Sequence, residues 1–69
     1  MDTMTRVREL ADEREMSLFQ LSTLCDVPYS TLLSTQNRKG ELKVSTIEKI
    51  CIGLRIPMSL FFTERGERI

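Results

Sequence analysis

The chemistry open to this chain is set by where its charged and hydroxyl-bearing side chains fall. Arg38, Lys39 and Lys43, offset by Glu41, form its most basic stretch, a grouping suited to attracting phosphate. Glu9, Asp12, Glu13 and Glu15 against Arg14 form an acidic one. Ten Lys and Arg are matched by ten Asp and Glu, so an anion-attracting face has to come from segregation along the chain and not from a basic total. Just ahead of the basic stretch lie Ser30, Thr31 and Ser34, whose hydroxyls can both donate and accept hydrogen bonds.

Covalent and redox chemistry find little to work with. The chain has no His, no Gly-rich loop that would cradle a phosphate and no pair of carboxylates in an evident apolar pocket, so no enzymatic activity is expected. Two thiols without a histidine make a poor metal site, and neither a cofactor nor a small-molecule ligand is implied. Cys25 and Cys51 each sit in an apolar periodic stretch, and no signal-peptide pattern opens the chain. They read as buried free thiols in a reducing cytoplasm, with a disulfide in a small secreted domain as the competing reading. No apolar run approaches the roughly 20 residues that span a bilayer, so no membrane association is expected.

These side chains have to be positioned by helices. A chain of 69 residues holds one compact core, which predicts a single domain with its core over about 3–62 and a charged, frayed tail over 63–69. Only three Gly and two Pro interrupt it, which favours an all-α fold. Met4, Val7, Leu10, Ala11 and Arg14 recur at helical spacing, predicting a first helix over about Thr3 to Arg14. Ser17 with Gln20 three residues on forms a capping box, with Met16 and Leu21 as its hydrophobic staple, and opens a second helix ending near Asp26. Its buried stripe is expected to be Leu21, Leu24 and Cys25. Pro28 suits the start of a third, short helix over about Tyr29 to Gln36, followed by a polar loop from Asn37 to Glu41. A second capping box, Ser45 to Glu48, is expected to open a fourth helix buried through Ile47, Ile50, Cys51 and Leu54. Pro57 begins a last turn in which Met58, Leu60, Phe61 and Phe62 supply apolar bulk.

From Leu18 to Thr35 the sequence reads LFQLSTLCDVPYSTLLST, a helix, a tight turn and a second helix in a short span. Leu21 is needed by the core, Ser22 must be small where the next helix crosses, Asp26 must accept an unusual backbone conformation, and Val27 and Leu32 anchor the second helix. This stretch resembles the helix-turn-helix of the Cro/cI-like, or XRE-type, repressor family, whose members pack five short helices into one DNA-binding domain. MSLFQLS, VPYSTL, VSTIEKIC and IPMSLFF extend the resemblance from about Val7 to Phe62. The chain departs from the family where Leu18 stands for a common Gln, Glu15, Asp26 and Arg55 stand for frequent glycines, and Thr35 occupies a usually apolar place.

The resemblance implies that the third helix lies in the major groove of double-stranded DNA, with Tyr29, Ser30, Thr31, Leu33 and Ser34 at base edges. Gln36, Asn37, Arg38 and Lys39 then suit phosphate contacts, with Arg6 and Arg8 of the first helix as further candidates. The expected function is sequence-specific transcriptional regulation as a homodimer, since one module of zero net charge binds weakly and a symmetric pair doubles its contacts. The alternative is an antitoxin-like or antirepressor-like protein-interaction module, in which the hydroxyls coat a solvated helix and Leu18, Phe19 and Leu33 form a protein-binding patch.

Overall fold

Five helices follow one another along the chain: α1 Thr3–Glu13, α2 Leu18–Leu24, α3 Tyr29–Arg38, α4 Val44–Leu54 and α5 Met58–Phe61. The computed structural model describes residues 2–63 and shows no strand among them, so the fold is all-helical. Apart from Thr63, the tail expected over 63–69 lies outside the described residues.

Local side-chain caps account for the first two helix starts. Asp2 caps α1, its carboxylate accepting from the backbone N–H of Met4 at 3.0 Å and of Thr5 at 3.4 Å. The capping box of α2 is complete: Gln20 N–H donates to Ser17 Oγ at 3.0 Å, and Ser17 N–H donates to Gln20 Oε1 at 2.7 Å. The expected Ser45 to Glu48 box does not form. Residues from Val44 onward are already helical, and Lys43 O accepts from Thr46 N–H and Ile47 N–H, both at 3.0 Å. Ser45 therefore sits inside the first turn, where its hydroxyl cannot act as a cap. The start is fixed upstream, because Leu42 is buried and its N–H is held by Thr3 Oγ1 at 2.9 Å. Thr3 N–H and Thr3 Oγ1 in turn donate to Glu41 Oε1 at 2.9 and 2.7 Å, tying the start of α1 to the α3–α4 loop.

Four helices end in the same way. Glu15, Asp26, Lys39 and Arg55 take left-handed φ of 54°, 57°, 55° and 59°. The next residue reaches back each time: Met16 N–H to Ala11 O, Val27 N–H to Ser22 O, Gly40 N–H to Thr35 O and Ile56 N–H to Cys51 O. These are Schellman endings with a side chain where glycine is usual.

The core gathers Met4, Val7, Leu10 and Ala11 of α1, Leu21, Cys25 and Val27 around α2, Leu32 of α3, Leu42, then Ile47, Ile50, Cys51 and Leu54 of α4, and Phe61 of α5. Leu24 departs from expectation, being 53% exposed. Ser22, not Leu24, takes the remaining inward place beside Leu21 and Cys25. At about 100° per residue that turns the buried face of α2 toward Ser22 and away from Leu24. In α5 only Phe61 is buried, while Leu60 and, just past the helix, Phe62 stay exposed. Where α2 meets α4 the backbones come close: a Cβ on Gly53 would lie 2.6 Å from Cys25 Sγ and 2.8 Å from Cys25 Cα. Arg6 is also buried, with Nε donating to Phe61 O at 2.7 Å, Nη2 to Leu60 O at 2.9 Å and Nη1 to Glu9 Oε1 at 3.0 Å.

Candidate nucleic-acid interface

The link from α2 to α3 is four residues, Cys25 to Pro28, and each has a steric job. Cys25 and Val27 point into the core, Asp26 supplies the left-handed backbone, and Pro28 precedes the helix without an N–H that would need a partner. α3 then buries only Leu32 and Thr35. Those two anchors leave Tyr29, Ser30, Ser34, Asn37 and Arg38 exposed, with Thr31, Leu33 and Gln36 half-buried. Arg38 is the one charged side chain of this helix, and none is acidic.

Asn37 and Arg38 were expected in the polar loop after the helix, but α3 carries them on its last turn with Gln36, and only Lys39 stands at the left-handed stop. The extension has a physical cause. Thr35 fills a core place and keeps the helical phase, and the chain turns only where Gly40 N–H can return to Thr35 O. As a result Gln36 and Lys39 line a hollow of about 260 Å³ together with Arg8 of α1 and Asp2. Arg8 Nη1 donates to Gln36 Oε1 at 2.6 Å, which brings α1 into the cationic group. Arg6 does not join it, because its guanidinium is buried against the carbonyls of α5. Asp2 adds a negative charge to the same hollow, its carboxyl held below the ordinary range chiefly by the Thr5 N–H, with a smaller contribution from Arg8.

No family model, curated protein or solved structure matches the chain. What its surface can do must therefore be read from its own chemistry. Ser34 is exposed and its Oγ donates to Thr31 O at 3.3 Å, which leaves its oxygen able to accept. Tyr29 meets Phe19 of α2 edge to face, with ring centroids 5.3 Å apart and an interplanar angle of 87°. The pair borders a hollow of about 500 Å³ that Asp26, Pro28 and Lys49 also line. Phe19 is exposed, whereas Leu18 and Leu33 are half-buried and Leu18 packs against the core, so the three do not form one exposed patch. The Phe19–Tyr29 contact and the approach of Lys49 are not legible in local spacing, since each joins different helices across the fold.

Neither thiol belongs to this surface. Cys25 and Cys51 are buried and unpaired, and burial pushes both above the usual thiol range, which disfavours the reactive thiolate. Among the described residues no group of three His, Cys, Asp or Glu is placed to hold a metal ion, and no helix is long and apolar enough to cross a membrane.

Proposed function

We propose that this chain is a sequence-specific, DNA-binding transcriptional regulator of the Cro/cI-like helix-turn-helix type, cytoplasmic and acting as a homodimer. The observation that carries the reading is the outward face of α3. Ten residues long and anchored by Leu32 and Thr35, it presents hydroxyls and no acid, and runs into Arg38, Lys39 and Arg8. A B-DNA major groove about 12 Å wide admits such a helix. Tyr29, Ser30, Thr31, Leu33 and Ser34 meet base edges in this reading. Ser34, with its proton given to Thr31 O, serves as an acceptor for adenine N6 or cytosine N4. Gln36, Asn37, Arg38 and Lys39, joined by Arg8, contact phosphates and set register without reading sequence. A symmetric pair would place two such helices about 34–36 Å apart, one turn of the duplex.

Selection of bound sequences from a random duplex pool tests this reading, with an inverted repeat as the expected product. The variant Ser30→Ala/Thr31→Ala/Ser34→Ala should stay folded and lose up to about 1–3 kcal/mol per contact on the recovered site, but much less on random DNA. If the folded variant keeps both affinity and preference, α3 is not the reading element. The exposed Phe19, Leu24 and Tyr29 would then mark a protein-binding face.

A further inference from the structure

The geometry points to Phe19 as a residue that positions Tyr29 to read thymine methyl groups, an inference that rests on the DNA-binding reading above. Tyr29 is the first residue of α3, where a partly exposed ring has few neighbours to fix its rotamer. Phe19 supplies one from across the turn, through the edge-to-face contact at 5.3 Å. Phe19 is itself 58% exposed, so it gives the core little and the ring of Tyr29 a wall.

The rest of the reading face decides what such a ring is for. From Tyr29 to Ser34 there is no Arg, Asn or Gln, so the bidentate pairings that usually separate guanine and adenine are missing. A single hydroxyl contact separates bases less sharply than a bidentate pair does. Thymine is the one base that offers an apolar group in the major groove, and Tyr29 and Leu33, four residues apart, lie on one face of α3 where they can meet it. An apolar strip fixed at one end by Phe19 therefore adds a methyl contact to what the hydroxyls read, and the bound sites should be marked by thymine at the positions nearest the start of α3.

The test uses one random duplex pool made twice, with thymidine or with deoxyuridine, which lacks only the 5-methyl group. The full chain should prefer the thymidine form of a recovered site by about fourfold per contacted methyl, the value of one buried carbon. Phe19→Ala should lower that ratio by the share that Tyr29 contributes, about fourfold, while leaving the salt dependence of binding, set by phosphate contacts, unchanged. Phe19→Tyr, which keeps the ring, should restore the ratio, and Phe19→Leu removes the ring with less loss of bulk should the alanine variant unfold. A wild-type chain that selects sequence but ignores the methyl overturns the inference and leaves the DNA-binding reading standing. Retention of the full ratio in folded Phe19→Ala or Phe19→Leu also overturns it. Absence of any sequence preference in either pool sinks both.

Discussion

Gly53→Ala should destabilise this protein even though alanine is the better helix former. In a helix interior the exchange is worth up to about 1 kcal/mol in favour of alanine, and less near the last turn of α4, where Gly53 lies. The new methyl, however, would fall 2.6 Å from Cys25 Sγ, 2.8 Å from Cys25 Cα and 3.0 Å from Cys25 Cβ. A sulfur can rotate away, but a backbone carbon cannot. α2 and α4 would have to separate by several tenths of an ångström, loosening the packing of Leu21 and Ile50, both fully buried. Overpacking of this kind costs about 1–3 kcal/mol, which outweighs the propensity gain and leaves a net loss of about 1–2 kcal/mol. Urea unfolding should show a lower midpoint at unchanged slope, and the melting temperature should fall by roughly 4–8 °C per kcal/mol for a domain of this size. Gly40→Ala is the control. Its new methyl would have nothing closer than Arg38 Nε at 4.0 Å, so it should be neutral or mildly stabilising. Adding Cys25→Ala to Gly53→Ala should give little rescue, because Cys25 Cα stays in place. A Gly53→Ala protein as stable as the parent would refute the claimed closeness of α2 and α4.

Arg38→Ala/Lys39→Ala should weaken binding to all duplexes alike and make the slope of log K against log salt shallower by up to about two units, as titrations at several salt concentrations would show. Arg55→Gly should raise stability by roughly 0.5–1 kcal/mol in thermal unfolding, since glycine relieves the left-handed strain at a small cost in unfolded-chain entropy. The Glu41 carboxyl is held below its ordinary value of 4.5 by hydrogen bonds from the Thr3 side chain and then from the Thr3 backbone. Because its folded pKa is depressed, this contribution to stability is present above that ordinary value and lost as pH falls through the folded one. Glu41→Gln should flatten the acid limb of a stability-against-pH curve, and an unchanged limb would place the acid sensitivity elsewhere, with Asp2 next in line.

What was legible in the sequence was what neighbours along the chain decide. Ser17 and Gln20 close their box within one turn, and Leu32 with Thr35 sets which side of α3 faces out, so the outward placement of Ser30 and Ser34 could be read directly. The errors came where a distant residue decides. Spacing alone allowed either Leu24 or Ser22 beside Leu21, and the close approach of the neighbouring helices selects the smaller side chain. Ser45 and Glu48 have the spacing of a box, but Thr3, far off in sequence, fixes Leu42 and hence where α4 begins. Arg6 and Arg8 look alike on α1, yet one is drawn into the carbonyls of α5 and the other onto Gln36. Asn37 and Arg38 belong to α3 and not to a loop, because buried Thr35 carries the helix past the point where polar composition suggests one.

The buried guanidinium of Arg6 joins helices at opposite ends of the described chain, across a sequence separation of 55 residues. Most other contacts in a small helical fold form between neighbours and can come and go one helix at a time, whereas this one closes the circuit. While it holds, α1 cannot loosen without withdrawing a charged donor from each of two carbonyls of α5, and α5, only four residues long, has little helical stability of its own to fall back on. The first and last helices are thus tied to one another, and amide exchange in α1 should speed up when α5 undocks.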